Sequence, residues 1–159
     1  MNTVIIDENE VIHRGVSDFL ANSSFEIVAH CHSLLDYSQV KAGKPMVDLV
    51  ISEAYIVRMG LQQVITMIKK QSGNAKLIIF SEFDDPFLIQ QAKYLGADGF
   101  IKKSVKSHEF VNRLQELQKY GNIWNNAAGT PGHAPLPESV TNIGSQKTTG
   151  NDFARNLFC

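Results

Sequence analysis

The chain has 159 residues, a formal net charge of -1, 43% hydrophobic and 19% charged residues, enough apolar content for one ordinary globular domain plus an appendage. Near-neutral charge argues against a strongly basic nucleic-acid surface. No apolar run reaches the roughly 18 residues of a membrane span, and the opening MNTVIIDENE lacks a secretory signal pattern. The expected location is therefore the cytoplasm, with Cys31 and Cys159 as two unpaired thiols in a reducing compartment.

Short apolar runs alternate with longer amphipathic ones. Thr3–Ile6 is a β-branched run that ends in the acids Asp7 and Glu8. From Asn9, a side chain suited to a helix N-cap, Val11, Ile12, Val16, Phe19 and Leu20 recur at helical spacing. Glu26–His30 reads as a strand and Ser33–Val40 as a short helix. Leu49–Ser52 is almost wholly apolar, as a central strand covered on both faces must be, and it delivers Glu53 to its C-terminal end.

Leu61, Val64, Ile65 and Ile68 line one face of a third helix, which Gly73-Asn74 ends. Lys76–Ser81 is the fourth strand. Asp85-Pro86 opens a fourth helix, with aspartate as cap and proline in the first turn, and Gly96 closes it. Gly99–Ile101 is a short fifth strand, and Ser107 is expected to cap a last helix carrying Phe110, Val111, Leu114, Leu117 and Tyr120.

Strict alternation of five strands and five helices predicts an α/β fold. The sheet is expected to be parallel, in the order 2-1-3-4-5, with two helices on one face and three on the other. This is a flavodoxin-like three-layer sandwich with right-handed crossovers. Its domain covers residues 1–121. Residues 122–159 hold three of the five prolines and many Gly, Ser, Thr and Asn residues. They read as a flexible tail or truncated linker, ordered at most where Ile123 and Trp124 dock.

In such a sheet, sites are built at the C-terminal strand ends. There the sequence sets Asp7, Glu8, Glu53, Ser81 and Lys103, with Asp48 at the opposite end of the third strand. The set resembles the pocket of a response-regulator receiver domain over roughly residues 3–121. The spacings are similar to the subgroup usually joined to a LuxR-type helix-turn-helix output domain. Val4-Ile5-Ile6-Asp7-Glu8 resembles that family's first strand and acidic pair, and Ser81 its hydroxyl position. Gly96-Ala97-Asp98-Gly99-Phe100-Ile101-Lys102-Lys103 resembles its glycine-bracketed turn, aromatic and lysine, with the lysine counted from Gly99 as Lys103. Glu53 stands where the family carries its phosphorylated aspartate. Two further departures are the segment Ala54–Gly60, which lacks the family's proline, and Ser104, which follows the lysine where proline is common.

The resemblance implies a cytoplasmic, bacterial two-component transcription regulator that takes part in a phosphorelay, and not an enzyme. In such a domain the acids bind Mg²⁺, and metal and lysine neutralise the phosphoryl group. Asp7, Glu8 and Glu53 offer three oxygen ligands for Mg²⁺; the alternative is an acidic cleft balanced by Lys103 alone. One added methylene moves the Glu53 carboxylate by roughly 1.5 Å, and a misplacement of about 1 Å can cost on the order of a hundredfold in rate. The expectation is an atypical receiver that signals through protein association instead of ordinary phosphorylation.

Glu53 can also act as a standing signal, one negative charge near where a phosphoryl group carries about -1.5 to -2. Ser81 and Phe100 match the family's switch positions, although an aromatic in a short strand is also accounted for by core packing. Self-association or a partner protein, such as a sensor kinase, is expected at the last two helices and fifth strand, without direct nucleic-acid binding. Competing readings are a conventional receiver phosphorylated on a non-standard acid, and a small-molecule-binding protein or enzyme on the same fold. The five histidines show no metal-site spacing.

Overall fold

The computed structural model describes residues 1–43 and 46–124; the tail expected over 122–159 lies outside the described residues from 125 onward. Five strands, β1 (Asn2–Ile6), β2 (Glu26–Cys31), β3 (Leu49–Ser52), β4 (Lys76–Ser81) and β5 (Gly99–Lys102), alternate with five helices. The helices are α1 (Glu10–Leu20), α2 (Leu34–Ala42), α3 (Leu61–Ser72), α4 (Pro86–Tyr94) and α5 (Ser107–Tyr120). All strand pairings are parallel, in the order β2-β1-β3-β4-β5.

Strand parity divides the core. Val4, Ile6, Val50, Leu77 and Ile79 face one way, beneath Leu34 and Tyr37 of α2, Val64, Ile65 and Ile68 of α3, and Leu88 and Ala92 of α4. Ile5, Leu49, Ile51, Ile78, Phe80 and Ile101 face the other way, beneath Val16 and Leu20 of α1 and Phe110, Leu114 and Leu117 of α5. Three helices thus cover one face and two the other. Every residue of β3 is buried, which explains its lack of a polar alternation.

Local signals account for most helix starts. The Asn9 side chain accepts from the Val11 amide, Ser33 from Asp36, and Asp85 from Phe87 and Leu88. The last helix differs from expectation. Its N-cap is Lys106, with no side-chain cap bond, and Ser107 already lies within the first turn. The Lys106 carbonyl accepts from the Phe110 amide at 2.9 Å, closing the first turn one residue before the expected serine cap.

The packed unit continues past residue 121. Ile123 is buried among the α1–α5 side of the core, and its amide donates to the Asp98 carbonyl at 3.0 Å. The Trp124 indole N–H donates to the Ala97 carbonyl at 2.9 Å. Gly99 makes this docking possible, because a Cβ there would lie 2.1 Å from Ile123 Cγ1. Among the described residues no helix is long and apolar enough to cross a membrane.

Candidate functional site

The parallel ladders extend one residue beyond three strands. The Asp7 amide donates to the Cys31 carbonyl at 3.0 Å, the Glu53 amide to Ile6 at 2.9 Å, and the Lys103 amide to Ser81 at 2.8 Å. Side chains at these positions are therefore held by sheet hydrogen bonding and not by loop conformation.

Lys103 reaches between two of the acids. Its Nζ lies 2.6 Å from Asp7 Oδ2 and in direct contact with Glu53 Oε2, and all three side chains are largely buried. Burial lowers the Lys103 pKa, but the bonds to Asp7 and then Glu53 outweigh it, leaving the ammonium above the ordinary lysine range. The remaining oxygens are also engaged. Asp7 Oδ1 accepts from the Asn9 amide at 2.8 Å, and Glu53 Oε1 from the Ala54 amide at 2.6 Å. Lys102 points outward and pairs with Asp84 at 2.8 Å on the exposed surface.

Glu8 is spent elsewhere. Its carboxylate accepts from the backbone N–H of Val57, in the loop after β3. Ile56 and Met59 exchange backbone hydrogen bonds across Val57 and Arg58, whose φ angles are 31° and 62°. This is a two-residue turn with both central residues on the left-handed side, where glycine or asparagine is usual. Glu8 braces it.

Ser81 is fully buried, and its hydroxyl has no hydrogen-bond partner among the described residues. Glu53 thus reaches Lys103 but forms no bond to Ser81. Phe100 is half-buried against the α2–α4 side of the core. Asp48 lies at the far end of β3 and accepts from the Asn2 amide at 2.7 Å.

The acids do not fit Mg²⁺ as arranged. The ion demands near-octahedral oxygens at about 2.0–2.1 Å. Here Lys103 already bridges Asp7 and Glu53, while Glu8 turns to the loop. Among the described residues, no three His, Cys, Asp or Glu side chains gather to hold one ion.

Sequence reasoning missed two features. His13, buried in α1, contacts the Asp7 carbonyl and the histidines at the end of β2; the i, i+3 and i+4 pattern of α1 marks it as inward-facing, but nothing local names its partners. On α4, Phe87 and Tyr94 are exposed, one apolar line two turns long that helical spacing could have flagged.

A family model described as the response regulator receiver domain matches residues 3–115. A protein of Arabidopsis thaliana named as a two-component response regulator is 24% identical over 115 residues, which are 72% of this chain and 18% of that protein. The chain therefore spans less than a fifth of that relative. Among solved structures, the signal receiver domain of NarL from Mycobacterium tuberculosis superposes with a TM-score of 0.65 at 23% identity, covering 75% of this chain and 96% of that one. The isolated receiver domain of RcsB from Salmonella enterica serovar Typhimurium, with the phosphomimetic BeF3-, gives 0.68 at 17% identity, covering 76% and 89%. A LuxR-family response regulator from Aurantimonas gives 0.66 at 18%, covering 76% and 86%. At these identities the structures speak for the fold alone, whereas the family match covers most of the chain. The chain belongs to the response regulator receiver domain family, the signalling domain of two-component systems.

Proposed function

We propose that this domain is an atypical receiver whose pocket is closed by its own side chains and which signals in the cytoplasm by protein association. One observation carries the reading: the Lys103 ammonium is already shared by Asp7 and Glu53, while Glu8 is committed to the Val57 amide. A phosphoryl group arriving at Glu53 would have to displace that lysine contact. A metal ion would have to draw Glu8 off the loop. Both steps break charge-assisted bonds, which are the stronger kind.

Association is assigned to α4, β5 and α5. Phe110, Leu114 and Leu117 are spent in the core, so the apolar contacts on offer are Phe87, Tyr94 and Tyr120, all exposed. A second copy or a sensor kinase meeting this face would bury aromatic anchors of the kind that dominate interfaces.

The runner-up reading, phosphorylation on Glu53, is favoured by one observation. A buried Ser81 hydroxyl without a partner is where a phosphoryl oxygen would bond. Intact-mass measurement after acetyl phosphate with Mg²⁺ separates the two. No adduct is expected on the unmodified chain, and association measured by light scattering should be unchanged by the treatment. A stoichiometric phosphoryl adduct on Glu53 would replace the first reading with the second. Within the first reading, weaker association in both Glu53→Ala and Glu53→Gln identifies Glu53 as a standing signal. Unchanged association in both identifies the pocket as a purely structural closure.

A further inference from the structure

At the β5 edge of the sheet, two consecutive residues pack on opposite faces. Ile123 is buried in the core beneath α1 and α5, and Trp124 packs against the core beneath α2, α3 and α4. Their polar contacts divide in the same way. The Ile123 amide donates to the carbonyl of Asp98, whose carboxylate is fixed by Lys69, Lys76 and the Leu77 amide. The Trp124 indole N–H donates to the carbonyl of Ala97, whose own amide donates to Ala92 of α4 at 3.0 Å. Lys93 of α4 also lies over the Trp124 ring, 5.9 Å from its centroid. Ile123 is thus held by the sheet, and Trp124 by the C-terminal end of α4.

We propose that Trp124 is a latch that couples α4 to the chain that follows. The indole bond and the last turn of α4 open and close as one unit, so α4 sets where the chain leaves the domain after residue 124. Two features make the unit. First, α4 is lightly anchored, with Leu88 and Ala92 buried among its nine residues, against five buried of twelve in α3. Segments with few buried apolar contacts open before the rest of a fold. Second, Ala97 is itself buried and hydrogen-bonded through both of its backbone groups. Withdrawing the indole alone strands the Ala97 carbonyl, and a buried polar group without a partner is strongly unfavourable, so the two bonds open together. A partner seated on the exposed Phe87 and Tyr94 of α4 then shifts the exit of the chain. That last step rests on the association proposed above, whereas the coupling does not.

Hydrogen exchange of the 159-residue protein at dilution, followed by NMR, tests the coupling without requiring association. Trp124 is the only tryptophan, so its indole N–H gives a single resonance. Gln90 is an exposed position inside α4, and Gln90→Gly weakens that helix without touching the core. The Ala97 amide should then exchange about fivefold faster. The Trp124 indole N–H should accelerate by the same factor, while the amides of β4 keep their parent rates. Coupling is reciprocal, so Trp124→Phe, which keeps a ring but loses the donor, should accelerate the Ala97 amide by a similar, roughly fivefold, factor. An indole rate that ignores Gln90→Gly, or an Ala97 rate that ignores Trp124→Phe, would overturn the proposal. An indole N–H without protection in the parent would overturn it as well, because the latch would then stand open in solution. Failure of association, read by the light scattering described above, would remove the partner and leave the coupling standing.

Discussion

The two ends of the sheet carry charge clusters of opposite design. At the C-terminal end one lysine, Lys103, lies between two carboxylates, Asp7 and Glu53, and all three are largely withdrawn from water. At the N-terminal end one carboxylate, Asp98, lies between Lys69 at 3.0 Å and Lys76 at 3.2 Å, and also accepts the Leu77 amide. The lysines there are about a third exposed. The N-terminal cluster has a spare cation and access to water, so losing one member leaves a solvated pair. The C-terminal cluster has a single cation for two buried anions, so everything depends on Lys103. The same residue types make a partly solvated cross-link at one end and a buried ion-pair cluster at the other.

The largest effect should come from removing that one cation. Lys103→Met is expected to cost about 3–5 kcal/mol in urea unfolding, because two buried carboxylates lose their counter-ion. Lys69→Met should cost no more than about 1 kcal/mol, as Lys76 remains and solvent screens the rest. Equal losses at the two ends would break the comparison.

Next in size is packing at the N-terminal end, where docking of Ile123 supplements the ion pairs. Gly99→Ala places a methyl 2.1 Å from Ile123 Cγ1 and 2.8 Å from Ile78 Cδ1. Overpacking of this kind typically costs about 1–3 kcal/mol. Adding Ile123→Ala should recover part of that loss; a Gly99→Ala protein as stable as the parent would mean that Ile123 does not dock in solution.

A smaller effect of opposite sign is expected at the pocket end. Arg58 holds φ at 62° in the turn braced by Glu8. Arg58→Gly relieves that conformation, and thermal or urea unfolding should register a gain of about 0.5–1 kcal/mol, reduced by the greater freedom of glycine in the unfolded chain. A loss would show that the arginine side chain contributes more than its backbone costs.

The last difference is one of pH. The Lys103 pKa is raised in the fold above its ordinary 10.5. Its stabilising contribution is therefore complete below the unfolded value and lost as pH rises through the folded one. The stability gap between the parent and Lys103→Met should hold across neutral pH and, on the alkaline side, close only above the ordinary lysine range. A gap that closes near pH 8 would assign the effect to another group.

Much of this arrangement was legible from residue spacing. The β-branched run ending at Asp7, the apolar run ending at Glu53 and the count from Gly99 to Lys103 identify side chains carried just past strand ends. Parallel alternation then brings those ends together. Less legible was what each side chain would hold. The sequence pattern sets Glu8 beside Asp7 and Glu53 as a third carboxylate for a cation, yet it braces Val57, 49 residues away. Glu53 stands near the phosphoryl position beside the Ser81 switch residue, but it reaches only the lysine and its own neighbour's amide. Ser107 has the residue type of a cap, but α5 begins one residue earlier, with Lys106 at the N-cap.

By itself the sequence determined the elements, their alternation and the faces they bury, because those follow from periodicity and capping among residues a few positions apart. It also determined that the apolar run of β3 ends in a glutamate, Glu53. Only the tertiary structure decided the partners. Which acid takes the lysine, which braces the loop, which histidines meet at the end of β2 and whether Ile123 fills the space above Gly99 all depend on register and helix docking. Such contacts join residues tens of positions apart, and no local pattern encodes the sub-ångström geometry that separates one hydrogen-bond partner from another.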